Sequence, residues 1–244
     1  LWSLITPCIS GYLIKKGYLQ RSKYRIERYI KDLDSNEKPQ NISQDEYVDL
    51  RMTGFGGAFN CALIYHIKQN ELCVIKRPYE NDRETPKLLK REGENYSKIK
   101  HPLVPKFYGK VKDTNCIIIE FINGHTLKFI NKLELTFNDK INIVFELMLI
   151  IKYFHDNKMI YRDLKPDNVI IDVNKTVVLI DFDRLIEIEI TDTDTTLDLG
   201  SNFIAPEVAD LKKFSYKSDI YSLGKMIEYV MNSEKYESSQ SDEY

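Results

Sequence analysis

Residues 161–183 set the tightest constraint on the fold. Asp163, Lys165, Asn168 and Asp181 stand around two apolar runs, residues 169–171 and 177–180, separated by Asp172-Val173-Asn174-Lys175. The runs read as short β-strands of a hairpin turned through that polar tetrapeptide. Two carboxylates, one amide and one ammonium are thereby gathered on a single rim. Such a cluster is poor core material, because buried charge is costly unless paired. It suits a hard divalent cation held on phosphate oxygens, since magnesium takes one or two carboxylates plus substrate phosphates.

Composition narrows the classes around this rim. At 244 residues with 43% hydrophobic and 30% charged content, the chain is an ordinary globular protein with room for two small lobes. A net charge of −2 gives no electrostatic grounds for a nucleic-acid partner or an acidic membrane. The four cysteines are widely spaced with no Cys-x-x-Cys pair, so free thiols in a reducing, cytoplasmic setting are expected. No apolar run approaches the length of a transmembrane helix.

Residues 15–31 carry seven Lys/Arg against one acid, Glu27, with tyrosines between them. Basic plus aromatic suits a docking or nucleic-acid arm. The preferred reading is a helix with Ile26, Tyr29, Ile30 and Leu33 as its apolar stripe and a solvated opposite face. Residues 34–39 then read as a linker. Residues 1–46 are thus expected to be an extension, and residues 47–244 the main domain.

Three short strands follow, over residues 47–51, 61–67 and 72–77. The first turn contains Gly54, Gly56 and Gly57, whose small size lets backbone amides approach a phosphate; a tight hairpin accounts for the same letters. After a helix over residues 83–100 come strands at 107–111 and 116–121. Residues 138–157 form an amphipathic helix whose core stripe is read as Val144, Leu147, Met148, Ile151 and Phe154. His155, near its end, reads as a capping or surface residue.

Tyr161-Arg162-Asp163-Leu164-Lys165-Pro166-Asp167-Asn168 resembles the catalytic loop of eukaryotic protein kinases, and Asp181-Phe182-Asp183 resembles their Asp-Phe-Gly. Further parts occur in order. Cys73-Val74-Ile75-Lys76 is similar to the Val-Ala-Ile-Lys strand, Ala205-Pro206-Glu207 to the end of the activation segment, and residues 218–224 to the start of the central C-lobe helix. The resemblance implies an α+β, two-lobed protein-kinase-like fold. It comprises a small antiparallel β N-lobe with one helix (47–121) and a mainly helical C-lobe (122–232), truncated after its central helix and ending in a disordered tail (233–244). A partner or further segment is expected to cover the C-lobe, because the helix at 218–231 is apolar nearly all round.

The resemblance also implies roles, on the family's template for phosphoryl transfer. Lys76 reaches the α- and β-phosphates of ATP and pairs with Glu92, with Glu94 as the fallback partner; Gly54, Gly56 and Gly57 cover the phosphates. Glu120 and Ile122 present hinge backbone to adenine. Asn168 and Asp181 hold Mg²⁺, Asp163 receives or orients the substrate proton, and Lys165 steadies the γ-phosphate. The implied activity is transfer to protein Ser/Thr hydroxyls. Alternatives are a pseudokinase acting as a nucleotide-binding scaffold and, more remotely, a small-molecule phosphotransferase. Departures are Phe59 or Asn60 for the third glycine, Tyr161 for His and Asp183 for Gly. Tyr161 is expected to stack on Phe182, Asp219 to cap the catalytic-loop backbone, and Arg162 to pair with a phosphate on Thr191, Thr193, Thr195 or Thr196.

Overall fold

A computed structural model describes residues 23–35, 39–55, 59–79, 82–188, 202–211 and 214–233. Helix α1 (Lys23–Ser35) precedes a six-stranded sheet built from β1 (Gln40–Ile42), β2 (Tyr47–Phe55), β3 (Asn60–His66), β4 (Glu71–Arg77), β5 (Phe107–Val111) and β6 (Ile117–Glu120). Helix α2 (Thr85–Lys98) lies between β4 and β5. The strand order is β1-β5-β6-β4-β3-β2. All neighbours are antiparallel except the edge pair β1–β5, which is parallel.

The parallel edge carries the sheet upstream of residue 47, into the stretch read as an extension, by pairing Gln40 with Gly109. Gly109 permits this, having a φ of +149° and a position where any Cβ would fall 1.9 Å from the Gln40 carbonyl oxygen.

The second lobe begins with β7 (Gly124–Thr126) and continues through α3 (Phe137–Asp156), β8 (Met159–Ile160), β9 (Val169–Asp172), β10 (Val177–Leu179) and β11 (Ile186–Glu187) to α4 (Pro206–Leu211) and α5 (Tyr216–Met231). The expected hairpin is present, with Val177 opposite Ile171 and Leu179 opposite Val169. A capping box starts α3, in which Thr136 and Asp139 each bond the other's backbone N–H.

One helix face differs from expectation, and a second is left partly uncovered. In α3 the buried row is Ile143, Leu147, Ile150, Ile151 and Phe154, whereas Met148 is 48% exposed. The 143-147-150-154 spacing follows one helical face, and residues 144 and 148 fall on the next row outward. In α5, Leu223, Met226 and Val230 are buried, but Ile220 is 54% exposed and a Cβ on Gly224 would meet nothing within 4 Å. Among the described residues the helix is therefore packed on one side, and the apolar Ile220 stands uncovered on the other.

One apolar cluster joins α2, α3, α5, β9 and β10, and a smaller one lies on the other face of the six-stranded sheet. Lys76, Glu92 and Asp181 sit at the edge of the larger cluster.

Candidate active site

Lys76 projects from β4 towards α2, where Glu92 is fully buried. Its Nζ lies 2.6 Å from Glu92 Oε1 and 3.1 Å from Asp181 Oδ1. Burial alone would lower the lysine pKa, but Asp181 and Glu92 outweigh it and hold the ammonium well above its ordinary value. One ammonium thus ties a strand of the first lobe, the helix behind it and the segment after β10 in the second lobe.

The catalytic loop is held from below. Asp219, at the start of α5, accepts from the backbone N–H of Tyr161 and of Arg162, both at 2.9 Å, as expected. His155 Nε2 lies 2.9 Å from the same carboxylate, so this histidine is a loop support and not a surface residue. Arg162 and Asp181 both have positive φ, +72° and +67°. Backbone of this kind persists in side-chain-bearing residues only where neighbours over-determine it, and it concentrates at functional sites.

Asn168 Nδ2 donates to Asp163 Oδ2 at 2.8 Å and to the Asp163 carbonyl at 2.9 Å. Lys165 Nζ is 3.1 Å from the same carboxylate, and Arg184 Nε is 3.9 Å away. Burial raises the Asp163 pKa against the opposing pull of Lys165 and Arg184. A carboxylate lifted in this way is a better proton acceptor than an ordinary surface aspartate.

Behind these groups runs a column of rings. Tyr96 stacks on Phe107 (5.6 Å between centroids) and meets Phe182 edge-on (4.9 Å); Phe182 in turn meets Phe154 and Tyr161 edge-on. Tyr161 stacks on Phe154, at 9° between planes, and not on Phe182, where the angle is 63°. Its hydroxyl donates to the Ile180 carbonyl at 2.5 Å, fixing the residue before Asp181.

Lys76, Glu92, Asp163, Lys165, Asn168 and Asp181 are therefore brought to one cleft. Gly54 lies in β2, and Gly56 and Gly57 fall outside the described residues, as do Thr191, Thr193, Thr195 and Thr196. Phe59, one of the two candidates for the third glycine's place, is buried with its ring 5.2 Å from Lys76 Nζ. Ile122 is buried beside the expected hinge. At Glu120 the N–H is taken by the Lys106 carbonyl, and the carboxylate turns to the back of the sheet, onto Arg25 and Arg28. Arg162 is turned inward, with its Nε donating to the Arg184 carbonyl and its guanidinium over the Phe214 ring.

Sequence reasoning missed Asn95, whose side-chain amide donates to the carbonyls of Phe182 (2.7 Å) and Leu185 (2.9 Å). The available signal was an Asn three residues after Glu92, on the same helix face. Among the described residues, no group of three or more His, Cys, Asp or Glu could hold a metal ion. The donor set suits magnesium completed by nucleotide phosphate, since such sites use few protein ligands.

The protein kinase domain family matches residues 47–244. The chain is 31% identical over 187 residues to a serine/threonine-protein kinase PrkC of Bacillus subtilis, which covers 73% of this chain and 29% of that protein. It is 32% identical over 198 residues to a probable serine/threonine-protein kinase PknB of Lactococcus lactis, covering 75% and 31%. An Aurora kinase of Eremothecium gossypii is 25% identical over 77% of this chain and 53% of its own length. The chain thus spans about a third to a half of the curated relatives it matches. It belongs to the protein kinase family.

Proposed function

We propose that the chain transfers the γ-phosphoryl group of Mg-ATP to serine or threonine hydroxyls of proteins. One observation carries the reading: Lys76 Nζ lies within 3.1 Å of both Glu92 and Asp181, residues 16 and 105 positions away in sequence. A pair so placed aims one ammonium at phosphate. The PrkC and PknB relatives, which carry the serine/threonine-kinase name, favour that acceptor class. Lys165, which resembles the serine/threonine branch, agrees with it.

Asp181 and the side-chain oxygen of Asn168 would hold magnesium, which supplies charge neutralisation at phosphate oxygens when bound. Lys76 orients the α- and β-phosphates, while Lys165 meets the γ-phosphate. Asp163, steadied by Asn168 and lifted in pKa by burial, accepts the proton of the incoming hydroxyl.

The test is phosphorylation of a generic Ser/Thr protein with Mg-ATP, beside Asp163→Asn. Loss of the base should cut kcat by about 10²–10⁴. A scaffold role is the second reading, favoured by the absence of a third glycine at residues 59–60 and by the Phe59 ring against Lys76. Nucleotide binding without transfer would select it, and phosphorylation of a soluble amine or alcohol would select a small-molecule phosphotransferase.

A further inference from the structure

Helix α1 lies outside the family match, which starts at residue 47, yet it is tied to the lobe by buried polar contacts. The expected apolar stripe does not hold it: Ile26 is buried, but Ile30 and Leu33 are 42% and 40% exposed. A cavity of about 350 Å³ separates the helix from α2 and the following loop, bordered by Tyr29, Leu33, Tyr96, Ile99 and Phe107. What fastens the helix is Arg25, only 7% exposed. Its Nε donates to the Pro102 carbonyl at 2.7 Å, one terminal nitrogen to the Val104 carbonyl at 3.0 Å, and both terminal nitrogens to the Glu120 carboxylate at 3.3 Å. Arg28 adds a 2.8 Å contact to Glu120. Tyr29 and Asp32 bond Lys100 and Lys106 in the same loop.

The three acceptors of Arg25 belong to segments that lead to the cleft. Glu120 ends β6, so the next residues, Phe121 and Ile122, are the hinge itself. Pro102 and Val104 flank Leu103, whose carbonyl accepts from the Leu179 N–H at 2.9 Å. Leu179 ends β10, two residues before Asp181. One guanidinium therefore holds both the strand entering the hinge and the loop that anchors the strand entering Asp181. Its planar fork can satisfy several fixed acceptors at once, which a lysine ammonium cannot do in the same geometry.

We propose that Arg25 of helix α1 is a positioning residue for the nucleotide cleft, fixing the hinge and the Asp181 segment together from behind. The segments it positions are assigned to nucleotide by the function proposed above; the clamp itself is testable without nucleotide.

The experiment is amide hydrogen exchange on the whole chain, comparing wild type with Arg25→Met, Arg25→Lys and Arg28→Met. Arg25→Met should speed exchange roughly tenfold in residues 121–126 and 177–182 together, as expected for loss of a charged hydrogen bond. Residues 61–77 should be unchanged. Arg28→Met, which bonds Glu120, Glu71 and Tyr108 but neither loop carbonyl, should leave residues 177–182 unchanged while it speeds exchange around its own partners, and Arg25→Lys should restore part of the protection. A rise confined to residues 23–35 would overturn the proposal, as would a uniform rise that includes 61–77. In parallel, ADP binding without magnesium, measured by calorimetry, should weaken about tenfold in Arg25→Met. A wild-type chain that takes no ADP would remove the nucleotide reading, and the exchange pattern would still judge the clamp.

Discussion

Two charge clusters face opposite sides of the same sheet end. In the cleft, Glu92, Asp163, Asp181 and Asp183 share Lys76, Lys165 and Arg184, and two buried oxygens, Glu92 Oε2 and Asp183 Oδ1, have no hydrogen-bond partner. Behind the hinge, Arg25 and Arg28 meet Glu71 and Glu120, and both Glu120 oxygens are satisfied, one by the two arginines and the other by Arg25 and the Lys106 N–H. Burial without hydrogen bonds is expensive. A fold that leaves such atoms in one cluster while closing every bond in the other separates a place kept for a ligand from a place built to hold still. The carboxylate excess in the cleft calls for cations, whether ammonium or metal. Behind the hinge, the charges call for nothing further.

The largest effect that would break this contrast is expected at Lys76. Lys76→Met leaves Glu92 fully buried without its cation, at a cost of about 3–5 kcal/mol. Burial already lifts the Glu92 carboxyl to about 7 against the pull of Lys76. Without the lysine it rises further above its unfolded value. The folded state then holds a proton that the unfolded state has lost, so stability falls as pH rises from 6 to 8. Urea melts at the two pH values should show the larger loss at pH 8, and Lys76→Met with Glu92→Gln should recover most of it. A loss independent of pH would mean that Glu92 is not the strained partner.

How much of this was legible beforehand follows the type of signal. Asp163, Asn168 and Asp181 were readable because each sits at a fixed offset from a hairpin, and local spacing survives folding. Lys76 and Glu92 were readable only through resemblance, since a lysine at a strand end carries no local mark of its partner. Arg25 and Arg28 were misread because their acceptors, Pro102, Val104 and Glu120, lie 77 to 95 residues away along the chain. A basic helix face looks solvated until those acceptors are known. The partners of the Glu120 side chain were hidden for the same reason in reverse: strand alternation says that it opposes Ile119, but not what covers that face. The Met148 error was one of helical phase, where apolar letters outnumber the places in the core.

A middle-sized effect sharpens the contrast by testing a satisfied carboxylate that serves the cleft. Asp219 is buried and accepts from two backbone N–H groups beside His155. Asp219→Asn exchanges one acceptor oxygen for a donor facing a donor, and should cost about 2–3 kcal/mol. The exposed pair of Asp49 and Arg77 is the control, for which Asp49→Asn should cost less than about 1 kcal/mol. Since Asp163 directly follows the two capped residues, the Asp219 variant should also lower kcat at a temperature where it remains folded. Equal melting shifts for the two substitutions would remove the claim that the loop is held by this cap.

The smallest effect belongs to the back of the hinge and depends on pH with the opposite sign to Lys76→Met. His101 packs against Tyr153, accepts at Nδ1 from the Leu103 N–H at 3.2 Å, and lies near the Arg25 guanidinium. Burial and Arg25 lower its pKa from 6.5 to about 3. Below pH 6.5 the unfolded chain takes up a proton that the folded chain refuses, so stability falls as pH drops from 6.5 towards 3 and is complete above 6.5. Part of the ring meets water, so the loss by pH 5 should be about 1 kcal/mol rather than the full linkage of the shift. Urea melts of wild type and His101→Gln between pH 7 and pH 5 read it directly, because the difference between the two should shrink on acidification. Arg25→Met should flatten the same curve by removing the cation that opposes protonation. An unchanged slope in that variant would place Arg25 too far from the ring to sense it, and would loosen the cluster behind the hinge where it was judged most completely closed.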